Sequence, residues 1–462
     1  MVHFVSSDVN TILRLLLVER MKSHADIIIR ADHVLTMDGD LTVIEDGAVA
    51  VIGEKIAAVG PADEILGRYL STEVIGGTGF VAFPGLVNTH THSPMVYFRG
   101  LADDLPLKDW LEKHIWPAEE KWLGPEFVGD AVELACLEML KSGITAFNDM
   151  YFYGERIAAA ARKMGMRAVV GAGILDFPTR TAQTPAEYLE KAESFIRDWK
   201  DDDCIIPCVA PHSPYACSAE TLRRAKALSE AYGVPLHMHI SETEWEVAQI
   251  MALHHSRPVT YLDSLGFLDE TVTAAHCIWL EDEEIEVLAK KGVSVAHCME
   301  SNLKLASGFA PVVTMLAEGI RVTFGTDGAA SNNDLNILSE MSTTAKVHKA
   351  IAKDPTVLNT RQVALMATRW GSEALGMDDK TGSIETGKAA DIVLADMRKP
   401  HLTPMYDIFS HLVYSMNAAD IDTVIINGKI VLRARSLVTG DEAEIMRKAA
   451  SWGKKIRAGN SA

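Results

Sequence analysis

Phe80-Val81-Ala82-Phe83-Pro84-Gly85-Leu86-Val87-Asn88-Thr89-His90-Thr91-His92 is an apolar run that closes on two histidines separated by one residue. Along an extended strand, residues i and i+2 face the same way, so His90 and His92 can grip one metal ion together. Seven further runs share the form of apolar or β-branched residues ending in polar ones: Ile144–Met150, Arg167–Asp176, Ile205–Pro214, Val234–Thr243, Val272–Trp279, Val293–Asn302 and Ile320–Gly328. Helix-patterned stretches lie between them, among them Glu126–Lys141, Gly154–Lys163, Pro185–Trp199 and Ala219–Ala231. Eight β/α units predict an α/β fold, a TIM (β/α)8 barrel whose site lies where the strands end.

Outward from the barrel, Ala25 to Phe83 reads as short apolar runs broken by the turn pairs Asp38-Gly39, Asp46-Gly47 and Gly53-Glu54. The same texture returns in Gly387–Leu394 and Val424–Val431, where Asn427-Gly428 is a strong hairpin signal. Neither end holds enough strands for a robust sheet, so the two are expected to pair as one small β-sandwich domain. The predicted organisation is an extension over 1–20, a composite β domain over 21–83 and 377–440, the barrel over 84–376, and a C-terminal helix or tail over 441–462. The apolar run Ile12–Val18 is interrupted by Arg14 and no small-residue cleavage site follows, so it does not read as a signal peptide. Leu335–Lys353 and Arg361–Leu375 read as helices, with Ser331-Asn332-Asn333-Asp334 capping the first.

Lys plus Arg number 44 against 63 Asp plus Glu, and the net charge of −19 argues against a nucleic-acid polymer as partner. With 48% hydrophobic and 23% charged residues the chain has the composition of a large packed core. About 18 apolar residues never run together, so no transmembrane helix or membrane partner is expected. The six cysteines form no Cys-x-x-Cys pair, which points to a reducing cytoplasm. A homo-oligomer stays open on composition.

Chemistry is sought at the run ends. Run five ends in His237-Met238-His239-Ile240-Ser241-Glu242-Thr243, run six in Ala275-His276-Cys277 and run eight in Gly325-Thr326-Asp327-Gly328. Three imidazoles and a carboxylate, His90, His92, His239 and Asp327, suit one divalent ion per chain, zinc first and Fe2+ as the alternative, with a position left for water. Taken singly, strand-end histidines such as His114, His237, His254, His255 and His297 read as structural. Glu242 could be a carboxylate favoured by a helix N-terminus, yet its three-residue offset from His239 favours catalysis. On spacing alone His212 is balanced between a rigid Pro-flanked turn and a site, and Trp110 and Glu119 read as a packed aromatic and a solvated acid.

Pro84–His92, His239-x-x-Glu242, His276 and Gly325–Gly328 resemble the amidohydrolase superfamily. Trp110, Trp116-Pro117-Ala118-Glu119, Pro211-His212-Ser213-Pro214-Tyr215, Ser301–Leu305 and Gly325–Asn332 are further similar to the 5′-methylthioadenosine/S-adenosylhomocysteine deaminase family, over residues 25 to 435. The resemblance implies hydrolytic deamination of those two nucleosides, with adenosine a further candidate, to the inosine derivative and ammonia by metal-activated hydroxide. His90, His92, His239 and Asp327 would bind the metal, Glu242 would protonate the purine N1, and Asp327 would relay the water proton to the departing amine. His276 would orient the hydroxide, Glu119 would bind the ribose diol, Trp110 would pack on the sugar or thioether tail, and His212 would contact the purine. An arginine that follows the third strand in some members is missing from Val169–Ile174, and Arg180 is the substitute candidate for a substrate carboxylate. Triazine, guanine or cytosine hydrolases of the same superfamily are the rival reading, and a non-catalytic barrel assembly protein the more distant one.

Overall fold

The structure, a computed structural model, describes residues 22–460. The expected extension over 1–20 lies outside the described residues. Eight parallel strands, Leu86–Thr91, Ile144–Tyr151, Arg167–Ile174, Ile205–Pro211, Leu236–Ile240, Val272–His276, Ser294–His297 and Val322–Phe324, hydrogen-bond in chain order. The eighth returns to the first: Thr89 Oγ1 donates to Phe324 O at 2.9 Å, and Asp327 N to His90 O at 3.0 Å. The barrel is thus nearly closed. Its strands are buried on both faces by the helices outside and by side chains within, which is why they read as continuous apolar runs.

Both ends of the chain build a second sheet. Its strand order is Ser436–Leu437, Lys429–Arg433, Ile421–Ile426, Ile392–Asp396, Val74–Pro84, Ile27–Leu35, Val43–Ile52 and Lys55–Pro61. Val74–Pro84 joins the halves, antiparallel to Ile392–Asp396 and parallel to Ile27–Leu35. The sheet folds over a core of its own that includes Ile29, Val49, Ile56, Ile392 and Ile425. At the fold, Asn427 and Gly428 take φ of 52° and 72°, the left-handed pair that a tight hairpin demands. Any Cβ on Gly428 would sit 2.0 Å from Gly53 O, so only glycine lets the two layers meet there.

Several local readings change. The first run is two strands: Phe80–Pro84 belongs to the second sheet, and the barrel begins at Leu86. Asp46-Gly47 is not a turn but lies inside Val43–Ile52, with Asp46 at φ 40°. Arg361–Leu375 is two helices, Thr360–Ala367 and Arg369–Ala374, broken at Thr368, whose hydroxyl bonds back to Ala364 O at 2.7 Å. The helix Ile337–Ala352 is capped by Asn336, which accepts from Leu338 N, and not by the Ser331–Asp334 segment, because Ser331 turns inward to Asp327.

One ion pair ties the barrel to the second sheet. Arg167, opening the third barrel strand, donates to both oxygens of Asp391 at 2.6 and 3.2 Å, with side chains only 4% and 3% exposed. Asp391 also accepts from Asn427 N at 2.7 Å, so the pair locks the hairpin turn as well. Replacing one member of such a buried pair leaves an uncompensated charge. Arg167→Met should therefore cost about 3–5 kcal/mol of stability, read by denaturant titration, and the double change Arg167→Met/Asp391→Leu should cost less than Arg167→Met alone.

Candidate active site

The four expected ligands converge although they come from the first, fifth and eighth strands. The donor nitrogens of His90, His92 and His239 all lie within 4.8 Å of one another. His92 Nε2 is 3.3 Å from His239 Nε2 and 3.3 Å from Asp327 Oδ1, and His90 Nε2 is 3.4 Å from the same oxygen. An ion held tetrahedrally at 2.0–2.1 Å would set its donors about 3.3–3.4 Å apart. The measured edges match. His90 Nε2 is fully buried and makes no hydrogen bond, the state of an atom shaped for a ligand other than protein.

The outer nitrogen of each imidazole is already spoken for. His92 Nδ1 donates to Met150 O at 2.7 Å and His239 Nδ1 to His212 O at 2.8 Å. A carbonyl only accepts, so both rings must present an unprotonated Nε2 inward when neutral. His90 Nδ1 meets His237 Nε2 at 2.9 Å, and burial holds His90 at about 4, neutral at physiological pH. His237, read as structural, is the partner of His90. Asp327 spends its other oxygen on Ser301 and Ser331, whose hydroxyls both donate at 2.7 Å. Burial opposes its ionisation, but His90 and His92 overcome it and hold the carboxyl well below its usual range. Although burial opposes it, the same carboxylate raises His92 to about 9, and a divalent ion would displace that proton, since it binds neutral imidazoles and an ionised carboxylate.

Glu242 and His276 stand beside this cluster. Glu242 is 8% exposed, and burial raises its carboxyl above the usual range. Its Oε1 lies 3.9 Å from His276 Nε2. His276 Nδ1 is 2.9 Å from Asn302 Oδ1, and donation to that oxygen leaves Nε2 as an acceptor facing the site. Ser241, His276, Cys277 and Asp327 all have positive φ, between 49° and 71°. Each such non-glycine residue costs about 1–3 kcal/mol, and all four sit at strand ends around one spot.

One cavity of about 710 Å³ is lined by His92, His239 and Asp327, with His90 outside its lining, together with Glu242, His276, His212, Glu119, Trp110 and Arg180. Glu119 is only 8% exposed, so it is not the solvated acid that spacing alone suggested. Tyr151 OH donates to its Oε1, and burial pushes its carboxyl up to about 7. Trp110 is 4% exposed and donates to Ala102 O at 3.1 Å, which fixes its ring against the cavity. Burial drives His212 down to about 3, so it is a neutral ring. Arg180 is exposed and donates through Nη1 to the carbonyls of Glu120 and Lys121 at 2.9 and 3.1 Å, with Nε and Nη2 unused by those bonds. Tyr151, His237 and Asn302 carry contacts that sequence reasoning assigned to none of them: Tyr151 ends the second strand, His237 lies near the start of the fifth, and Asn302 lies in the helix Met299–Lys304 after the seventh.

The amidohydrolase family model matches residues 81–431, and an imidazolonepropionase-like composite domain of bacteria matches 47–69. A 5-methylthioadenosine/S-adenosylhomocysteine deaminase of Thermodesulfovibrio yellowstonii is 52% identical over 93% of this chain and 98% of its own. A 5′-deoxyadenosine deaminase of Methanosarcina mazei is 44% identical over 92% and 97%. An adenosine deaminase of Xanthomonas campestris, solved with bound zinc, superposes with a TM-score of 0.93 at 40% identity, covering 95% of this chain and all of that one. The chain belongs to the amidohydrolase family, in the branch of the 5-methylthioadenosine/S-adenosylhomocysteine deaminases.

Proposed function

We infer that this enzyme hydrolyses the 6-amino group of 5′-methylthioadenosine and S-adenosylhomocysteine, giving the inosine derivatives and ammonia, with adenosine as a further substrate. The observation that carries the reading is the shared cavity: a buried carboxylate, Glu119, lines the same space as the ligand cluster and Glu242. A metal framework alone has no use for it, whereas a ribose diol does.

His90, His92, His239 and Asp327 would hold one divalent ion, zinc by likeness to the zinc-bearing Xanthomonas campestris protein, with Fe2+ the alternative. When bound, such an ion acts as a Lewis acid and lowers the pKa of its water to about 7. Asp327 takes the proton of the attacking water and passes it to the departing amine. His276, held by Asn302, accepts a hydrogen bond from that water and aims it at C6. Glu242, whose burial keeps its proton closer to neutral pH, delivers it to the ring N1, so that charge does not build up on the purine. His212 packs on the base, and Trp110 on the sugar or its thioether tail. Arg180, whose Nε and Nη2 take no part in its bonds to Glu120 and Lys121, meets the substrate carboxylate. All six cysteines are free thiols and no helix among the described residues is long and apolar enough to cross a membrane, which supports a cytoplasmic setting.

Ammonia release measured over methylthioadenosine, S-adenosylhomocysteine, adenosine, guanine and a triazine tests the reading, with turnover expected for the nucleosides only. In the same assay Glu119→Ala should lower kcat/KM on nucleosides by roughly 10²-fold or more, the order expected when a charged hydrogen bond to substrate is lost, and free adenine far less. Equal losses would reject the ribose role. Metal analysis should find close to one zinc or iron per chain, and full activity in metal-free protein would remove the metal from the reaction. Glu242→Gln should keep that metal yet lose about 10²–10⁴-fold in kcat.

A further inference from the structure

Glu242 leaves the fifth strand through a sharp turn, since Ser241 before it has φ 52°. One side of the turn is fixed by its own carbonyl: Ser241 O accepts from Ile278 N and Trp279 N, both at 3.0 Å. The other side is fixed by Glu246. In the helix Glu244–His254 the cap residue Thr243 accepts from Glu246 N at 3.1 Å. An ordinary capping box would send the Glu246 side chain to the amide of Thr243. It reaches further back instead, with Oε1 on Ser241 N at 2.9 Å and Oε2 on Glu242 N at 2.8 Å. One carboxylate therefore grips two consecutive amides at the strand end, the second of them the catalytic residue's own.

Glu246 is 0% exposed, and no Lys, Arg or His pairs with it among the described residues. Burial pushes its carboxyl up, while the amides of Glu242 and Ser241 oppose that shift and favour the ionised form to which they donate. A group merely capping a helix on the surface would face none of this. Its hydrogen bonds go to the two amides, neither of which belongs to the helix it starts, and the Thr243 amide adds a further favourable neighbour.

We propose that Glu246 is a positioning residue for deamination: it sets the Ser241–Glu242 backbone and so aims the Glu242 carboxyl at the purine ring nitrogen. The proposal rests on Glu242 being the proton donor. Glu246→Gln keeps the volume but can offer only one acceptor to two amides, with its NH2 opposed to the other. The test is a double-mutant cycle of Glu246→Gln with Glu242→Gln in the zinc-loaded enzyme on methylthioadenosine, with kcat, KM, metal content and thermal midpoint read for each form. Glu246→Gln alone should lower kcat by about 10-fold or more, with KM within about twofold and metal retained; in the Glu242→Gln background the same change should alter kcat by less than about twofold, because residues acting as one unit are not additive. An equal fold-loss in both backgrounds, an unchanged kcat, or a loss confined to KM would overturn it. Near-normal kcat in Glu242→Gln alone would bring down the proton-donor reading and this proposal with it, and is recognised without touching Glu246. Should Glu246→Gln fail to fold, Glu246→Asp, which keeps the charge but is one methylene short of spanning both amides, is run through the same cycle and judged by the same outcomes.

Discussion

Four donors able to share one small cation would stand about 3.3–3.4 Å apart, and His90, His92, His239 and Asp327 come to such distances from three separate strands. That distance leaves the barrel little freedom. Asp327 follows the eighth strand and His90 sits on the first, and those strands lie side by side. Asn88 Nδ2 on Thr326 Oγ1 at 2.7 Å, Thr89 on Phe324 O and Asp327 N on His90 O provide that closure. Gly325 shows how tight it is, for a Cβ there would be 2.7 Å from His90 Cβ. Closing the barrel and bringing these four side chains together are one event.

The orientation of the donors draws on the rest of the barrel. His92 leans on Met150 of the second strand, His239 on His212 after the fourth, His90 on His237 of the fifth, and Asp327 on Ser301 after the seventh. Three of these inward-facing side chains are therefore set by a partner from the adjacent strand, and His90 by His237 from across the barrel. A shift of any one strand would turn a ring as well as move it. This explains why a buried pair as remote from the chemistry as Arg167–Asp391 matters, because it seats the third strand against the second sheet.

Period and local residue type made much of this legible. Strand alternation put His90 and His92 on one face, where the structure brings them together, and Asn427-Gly428 is readable from the φ values its turn needs. The eight units were readable because parallel strands buried on both faces are apolar throughout. What escaped was set by partners distant in sequence. Arg167 and Asp391 are 224 residues apart, and nothing near either announces the pair. Ser331 looked like a helix cap because its neighbours are cap residues, until the fold offered it Asp327. Glu119 looked solvated because its burial depends on Tyr151, 32 residues on. Its functional reading came from resemblance and not from physics. Phe80–His92 read as one strand since Pro84-Gly85 moves the chain between sheets without interrupting its apolar character.

Strain and buried polarity at this site belong together. An L residue at positive φ turns the chain within one residue, which lets a strand end present a side chain to the cavity and its backbone to the next strand. Ser241, His276 and Asp327 all do so, at a cost of about 1–3 kcal/mol each. Alone, such turns would relax toward extended backbone and carry the reacting groups with them. Each is instead held by buried polar partners: Ser241 by the Glu246 carboxylate, His276 by Asn302, and Asp327 by two serine hydroxyls and by Gly328 N at 2.8 Å. A buried polar group left without a partner costs about 1–3 kcal/mol, comparable to the strain of one turn. Relaxing a turn would therefore recover the strain only by orphaning its partner, and the strained arrangement persists because the two terms oppose each other at the same residue.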